Sequence, residues 1–295
     1  MSIDYEPKFA NLHLHSTHSD GVYSPAELVR LAKKEGYKAL AVTDHDVITG
    51  IPEMIAECEK EGMEYIKGAE FTCQGFGLDY HIVGLDIDTS NQALRDYCAY
   101  MGEKETHRTK TLFDQGLERG TLKNITWDEV LEHNKDIVWF CVDHVFAAMR
   151  AKGVIELCDY NEFFMANFTH RLPYETPYKI YSAEEVIKII KDAGGIAVLA
   201  HPHDQLHTVD GLVELGLGGI EVWHRMLTPE ERVQAEALAK KHNLYISGGT
   251  DHSGMLGGLD HYEPDGKLPE KHNVPSLMHG TSEENFRNIK NRIYG

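Results

Sequence analysis

The sequence predicts an α/β protein built on a (β/α) barrel, or a closely related closed sheet, with a helical subdomain inserted into it. Three observations carry this. Seven short apolar segments of strand character recur, most of them separated by amphipathic helical segments. The rhythm breaks between about residues 91 and 180, where mixed-charge helical segments dominate. Histidine and acidic side chains stand at the end of almost every apolar segment, where barrel enzymes carry their chemistry.

Phe9 to His15 reads as the first strand. Ser24-Pro25-Ala26-Glu27 is a capping box with Pro at the first helical position, Leu28, Leu31 and Ala32 follow at helical spacing, and Gly36 ends the helix. Lys38 to Thr43 is a buried strand, Thr49 to Glu61 a helix, and Tyr65 to Phe71 a strand. Gly75-Phe76-Gly77 is a turn before a strand from Tyr80 to Ile87. The connection is too short for a helical crossover, so a hairpin is expected, bringing His81 beside Glu70. Alternation resumes at the capping box Ser182-Ala183-Glu184-Glu185. Strands follow at Ile196 to Ala200, Gly219 to Trp223 and Leu244 to Ser247, with a helix from Thr228 to about His242. Gly257 to Pro275 reads as loop, and Glu283 to Arg292 as a short helix.

The 295 residues carry a net charge of −18 and 18 histidines. Such an acidic chain argues against long nucleic acid as a partner, because that binding neutralises phosphates with Lys and Arg. The N-terminus shows no apolar signal segment, and no stretch approaches the roughly 18 apolar residues of a membrane span. Five cysteines without C-x-x-C spacing point to free thiols in a reducing cytoplasm.

The strand ends form one constellation. His13 and His15, two apart, share a strand face, and Asp20 follows in the loop. Asp44, His45 and Asp46 end the second strand and Glu70 the third. His81 opens the fourth, His201 and His203 end the fifth, and Asp251 and His252 end the last. Imidazole with carboxylate suits Zn, Mn and Fe ions. The set reads as a metal centre rather than a rim of solvated polar groups.

These segments resemble the PHP (polymerase and histidinol phosphatase) superfamily. The likeness lies in Asn11 to Gly21, Ser24 to Val29 and Leu40 to Asp46. It continues in Gly68-Ala69-Glu70, His81-Ile82-Val83-Gly84, Ala200-His201-Pro202 and Gly249-Thr250-Asp251. It spans about residues 7 to 90 and 182 to 256, and is nearest to stand-alone phosphoesterases with a helical insertion. The resemblance implies a distorted seven-stranded (β/α)7 barrel from residues 1–90 and 181–295. Residues 91–180 would be an inserted helical subdomain that sets substrate specificity. It implies two to three divalent transition metals, Mn, Fe or Zn. His13, His15, Glu70 and Asp251 would hold one; Glu70 would bridge to a second held by His81 and His201; Asp20, His45 and His252 would hold a third. Here His252 directly follows Asp251, and Ser253 takes the family's usual His position. His252 therefore joins only where the loop turns, which Gly254 allows.

The implied chemistry is hydrolysis of a small organic phosphate by hydroxide held between metals, with phosphate as product. A nucleotide or sugar phosphate monoester is expected, and a cyclic phosphodiester is chemically accessible. Three divalent ions against three carboxylates leave about +3 in the pocket, and two ions leave about +1. Glu70 and His201 are expected in catalysis, with His203 as a proton donor or substrate contact. Arg108 and Lys110 could clamp phosphate, Arg108 foremost since similar proteins are Arg-rich there; a solvated helix face is the alternative. His144, His18 and His224 are further substrate-side candidates. Two other readings stand: a metallohydrolase of amides or lactones, and a catalytically silent interaction module.

Overall fold

The structure is a computed structural model that describes residues 8–156, 159–169, 172, 176–251 and 279–293. Strand β1 (Ala10–Asn11), helix α1 (Pro25–Lys34), β2 (Ala39–Leu40), α2 (Ile51–Glu61) and β3 (Glu64–Tyr65) open the chain. Ser24 caps α1 through the capping box, and α1 buries Leu28, Val29 and Ala32. The hairpin β4 (Gly68–Gly75) and β5 (Leu78–Leu85) follows. Gly75 pairs with Leu78, so the loop is Phe76-Gly77, both at positive φ, 49° and 79°. A two-residue loop with both φ positive matches the right-handed strand twist, which makes the turn tight and fixes the register. Thr72 pairs with His81 and Glu70 with Val83, so His81 lies diagonal to Glu70 on one face.

Helices α3 (Gln92–Arg119), α4 (Trp127–His133), α5 (Val142–Ala151) and α6 (Tyr160–Asn167) fill the stretch the sequence reads as helical. From Leu112 of α3 onward they bury their own apolar cluster, which includes Phe113, Phe140, Phe146, Tyr160 and Phe163, while Leu94, Tyr97 and Met101 of α3 belong to the main core. The chain then runs through α7 (Ala183–Asp192), β6 (Ile196–Leu199), α8 (Val209–Glu214), β7 (Gly219–Trp223), α9 (Pro229–His242), β8 (Tyr245–Gly248) and α10 (Glu283–Asn291). Helix α8 is absent from the sequence reading. The expected loop at 257–275 lies outside the described residues.

The described strands number eight and form two sheets, β1-β2-β3 and β4-β5-β6-β7-β8. The ladders thus draw a mixed α/β fold in two sheets where the sequence predicts one closed barrel. The expected strand Tyr65 to Phe71 is two strands. Ile66 N–H still donates to Leu40 in the first sheet, whereas Lys67 C=O accepts from Asp86 beyond β5. Single bonds cross between the sheets at both margins. Asp46 N–H donates to Glu70 C=O at 2.7 Å and Glu70 N–H to Asp44 C=O at 3.1 Å. Leu12 N–H donates to Gly248 C=O at 3.3 Å and Asp251 N–H to His13 C=O at 2.9 Å. These crossings bring the polar strand ends together. Cys58, Cys73, Cys98 and Cys141 are free and buried. Among the described residues no helix is long and apolar enough to cross a membrane.

Candidate metal centre

Glu70, fully buried on β4, is the hub. Its Oε1 lies 3.2 Å from His13 Nε2, 3.2 Å from His81 Nδ1 and 3.1 Å from His201 Nε2. Its Oε2 lies 3.3 Å from His15 Nε2 and 3.0 Å from His45 Nδ1. Asp251 Oδ1 adds contacts of 3.1 Å to His15 and 3.7 Å to His13. Asp20 stands 3.4 Å from His15 Nδ1 and 3.9 Å from His45 Nε2. Four overlapping groups result among the described residues: His13, His15 and Asp251; His15, Asp20 and His45; His45, Glu70 and His81; and His13, Glu221 and His224. In each the ligand atoms lie within 4.8 Å of one another.

The turns that present these residues are conformationally costly. His201 and Asp251 hold positive φ, 28° and 50°, and so does Asp46 at 52°. Non-glycine residues adopt this region rarely, and such strain collects at functional sites. Hydrogen bonds hold the turns. Asp44 accepts from Ser16 N–H at 2.6 Å, Ser16 Oγ at 2.7 Å and Ser19 Oγ at 2.7 Å. Asp46 accepts from Tyr97 O–H at 2.6 Å and Thr72 N–H at 2.8 Å.

The electrostatics demand positive charge. Burial works against ionising Glu70 and Asp251, yet the facing imidazoles outweigh it and hold both well below the carboxylate range. For His15 burial opposes the charge, but Asp20, Asp251 and Glu70 raise it to about 9. A divalent cation would displace these imidazolium protons. The donor set fits one. His13 Nε2, His15 Nε2 and Glu70 Oε2 are buried and hydrogen-bond to nothing, although they converge on one another. Nitrogen and oxygen donors of this kind suit Zn, Mn or Fe.

Eight of the nine sequence-predicted ligands therefore meet at one place; the ninth, His252, lies outside the described residues. Of the substrate-side candidates, His224 is buried against the cluster, with Nε2 3.5 Å from Asp251 Oδ2. His18 bonds Thr49 Oγ1 at 2.8 Å. The remaining candidates are engaged elsewhere. His144 spends both nitrogens on backbone, taking a bond from Cys141 N–H and giving one to Thr17 C=O, both 3.0 Å. Arg108 pairs with Glu105 at 2.9 Å, and Lys110 with Asp114 at 2.7 Å, each an acid within one helical turn. His203 pairs with Glu231 at 2.8 Å and Asp204 at 3.1 Å rather than with Glu70.

Sequence reasoning missed Glu221 and Trp139. Glu221 is buried on β7 and accepts from His13. Its signal was a lone acid inside the apolar run Gly-Ile-Glu-Val-Trp. Trp139, nearly buried, stacks on His45 with ring centroids 5.9 Å apart; nothing local in the sequence marks it.

Comparison with known proteins places the chain in a family. The PHP domain model matches residues 11–190. A phosphoribosyl 1,2-cyclic phosphate 1,2-diphosphodiesterase of Eggerthella lenta is 28% identical over 255 residues, covering 85% of this chain and 96% of that protein. The 5′-3′ exoribonuclease Rnm of Salmonella typhimurium is 29% identical over 251 residues, covering 82% and 84%. A solved structure from Bifidobacterium adolescentis, provisionally described as a metal-dependent phosphoesterase, superposes with a TM-score of 0.76 at 28% identity, covering 97% of each chain.

Proposed function

Because the chain belongs to the PHP domain family, we propose that it is a metal-dependent phosphoesterase. Its substrate would be a small organic phosphate: a nucleotide or sugar phosphate monoester, or a cyclic phosphodiester. The observation that carries this is Glu70 ringed by five imidazole nitrogens at 3.0 to 3.3 Å. His13, His15, Glu70 and Asp251 would hold one ion. Glu70 with His81 and His201 would hold a second, and Asp20, His45 and His252 a third. Two to three Mn, Fe or Zn ions bound there would supply Lewis acidity at phosphoryl oxygens and a lowered pKa for water. Asp44 and Asp46 keep the ligand loops in place through the bonds given above. His203, whose bond to Glu231 favours its charged form, is the proposed proton donor to the leaving group.

The finer architecture is part of the same reading. The two sheets are read as one distorted seven-stranded barrel opened at two margins, from residues 1–90 and 181–295, with 91–180 inserted. The separate apolar cluster from Leu112 of α3 to α6 supports an insertion, with the start of α3 packed on the main core. Free, buried thiols support a cytoplasmic location.

A cavity of about 900 Å³ is lined by Val47, two residues past His45 in the chain, and by Ile48, Lys110, Trp127, Phe140 and Tyr178. Aromatic walls stack a planar base better than a bare sugar, which favours nucleotides among the small phosphates. The Salmonella relative's name raises a second reading, the 5′ end of an RNA.

The test is metal analysis of the purified protein, with phosphate release from nucleoside and ribose phosphates and from a 5′-phosphorylated oligoribonucleotide. Bound transition metal is expected, and His13→Ala should lose at least about 100-fold of the rate. His203→Gln should slow alkyl esters by about 100-fold and nitrophenyl esters little, since only the former need a proton at the leaving oxygen. Metal-free protein, or release that survives His13→Ala, sinks the reading.

A further inference from the structure

We propose that Glu221 is a positioning residue for the metal centre. It fixes which nitrogen His13 presents to the cluster and braces the turn that carries His201. The proposal rests on the metallophosphoesterase reading and adds a residue to it.

Glu221 sits on β7 with 1% of its surface exposed. Its Oε1 lies 3.0 Å from His13 Nδ1, and its Oε2 accepts from the His201 backbone N–H at 2.7 Å. An ionised carboxylate has no proton to give, so His13 Nδ1 must donate. The lone pair available to a cation is then on Nε2, the edge facing Glu70 and Asp251. The opposite tautomer would point an N–H at the ion. The second bond answers a gap in the sheet. The β6–β7 ladder ends at Leu199–Ile220. Two residues later His201 turns into positive φ, and no strand carbonyl receives its N–H. The Glu221 side chain takes that role. One carboxylate thus ties ligands from two strands to a third, and both its oxygens are occupied in doing so.

The decisive variant is Glu221→Gln, which keeps the shape. An amide offers one acceptor and one donor, whereas the site presents two donors. With its oxygen on the His201 N–H, the amide's NH2 faces His13 Nδ1 and selects the opposite tautomer, with its N–H toward the ion; flipped, the amide sets an N–H against the His201 N–H. Metal is stripped with chelator, and Zn²⁺ and Mn²⁺ are titrated calorimetrically into wild type and variant, with melting of both apo proteins alongside. The variant should bind its tightest ion about 10- to 100-fold more weakly, and activity lost at trace metal should return with excess metal at an unchanged KM. Wild-type metal affinity in Glu221→Gln overturns the proposal, even if its apo form melts lower, because that pattern is a purely structural role. Should the variant not fold, ¹⁵N spectra of zinc-loaded wild type decide: His13 must carry its proton on Nδ1, and a proton on Nε2 overturns the proposal. Wild type that binds no metal removes the parent reading instead, so the two failures are distinct.

Discussion

His144 shows how a single residue's role follows from its two nitrogens. Cys141 N–H donates to Nδ1, so that nitrogen carries no proton in the neutral ring. Thr17 offers only a carbonyl, so Nε2 must carry the proton. Both ends select one neutral tautomer, and the ring ties the start of α5 to the loop between His15 and Asp20. Burial pushes its pKa down to about 4. The unfolded chain takes the proton near 6.5, before the folded one does. The stabilisation is therefore fully present above about 6.5 and is lost as the pH falls toward 4, on the order of 3 kcal/mol in all. Urea denaturation of chelator-treated wild type and His144→Gln at pH 4.5 to 8 measures this. The stability difference between them should widen as the pH rises to about 6.5 and then level off. A difference that is flat with pH refutes the buried-neutral account.

At the level of elements, the end of β8 packs closely against β1 under the site. A Cβ on Gly249 would stand 2.4 Å from His13 N, 2.5 Å from its Cβ and 2.8 Å from its Cα. These are backbone-anchored atoms that cannot swing aside. Gly249→Ala should cost about 1–3 kcal/mol and weaken metal binding together, because relief of the clash moves His13. Melting and metal titration on one sample check this; a destabilised variant with unaltered metal affinity would show that the joint does not set the ligand. Elements with local signals were legible in the sequence. The capping boxes at Ser24, Ser182 and Thr228 all form, and the Phe76-Gly77 turn dictates the hairpin that brings His81 to Glu70. The convergence of the candidate ligands was legible because strand ends meet at one rim in such folds. The sheet switch after Ile66 was not, since the apolar pattern runs through it. Only packing reveals that a Cβ at Gly68 would come within 2.9 Å of Thr43 Cγ2 and 3.1 Å of Gly84 O. The partners of Arg108, Lys110 and His203 were not legible for a related reason: each pairs with an acid, Glu105, Asp114 or Glu231, and pairing is not written in residue type.

At the scale of the whole molecule, two opposite charges matter. The chain carries −18, while the proposed ions would make the centre locally positive. Exposed charge acts over the Debye length, about 30 Å at 0.01 M salt and 10 Å at 0.1 M, whereas buried charge is screened much less. A mononucleotide that reaches the centre interacts mainly with the buried ions. A longer strand must also lie along the acidic surface. For a 5′-phosphorylated RNA of about 20 nucleotides, kcat/KM should therefore rise between 0.01 and 0.1 M salt, as the repulsion is screened. For the mononucleotide it should change little. A protein that gathers RNA in a basic groove gives the reverse, since each phosphate contact releases a counterion and binding falls steeply with salt. Steady-state rates on the two substrates across that range separate the cases. If the long RNA is cleaved best at low salt, local basic surface outweighs the net charge, and the exoribonuclease-like reading displaces the small-molecule one.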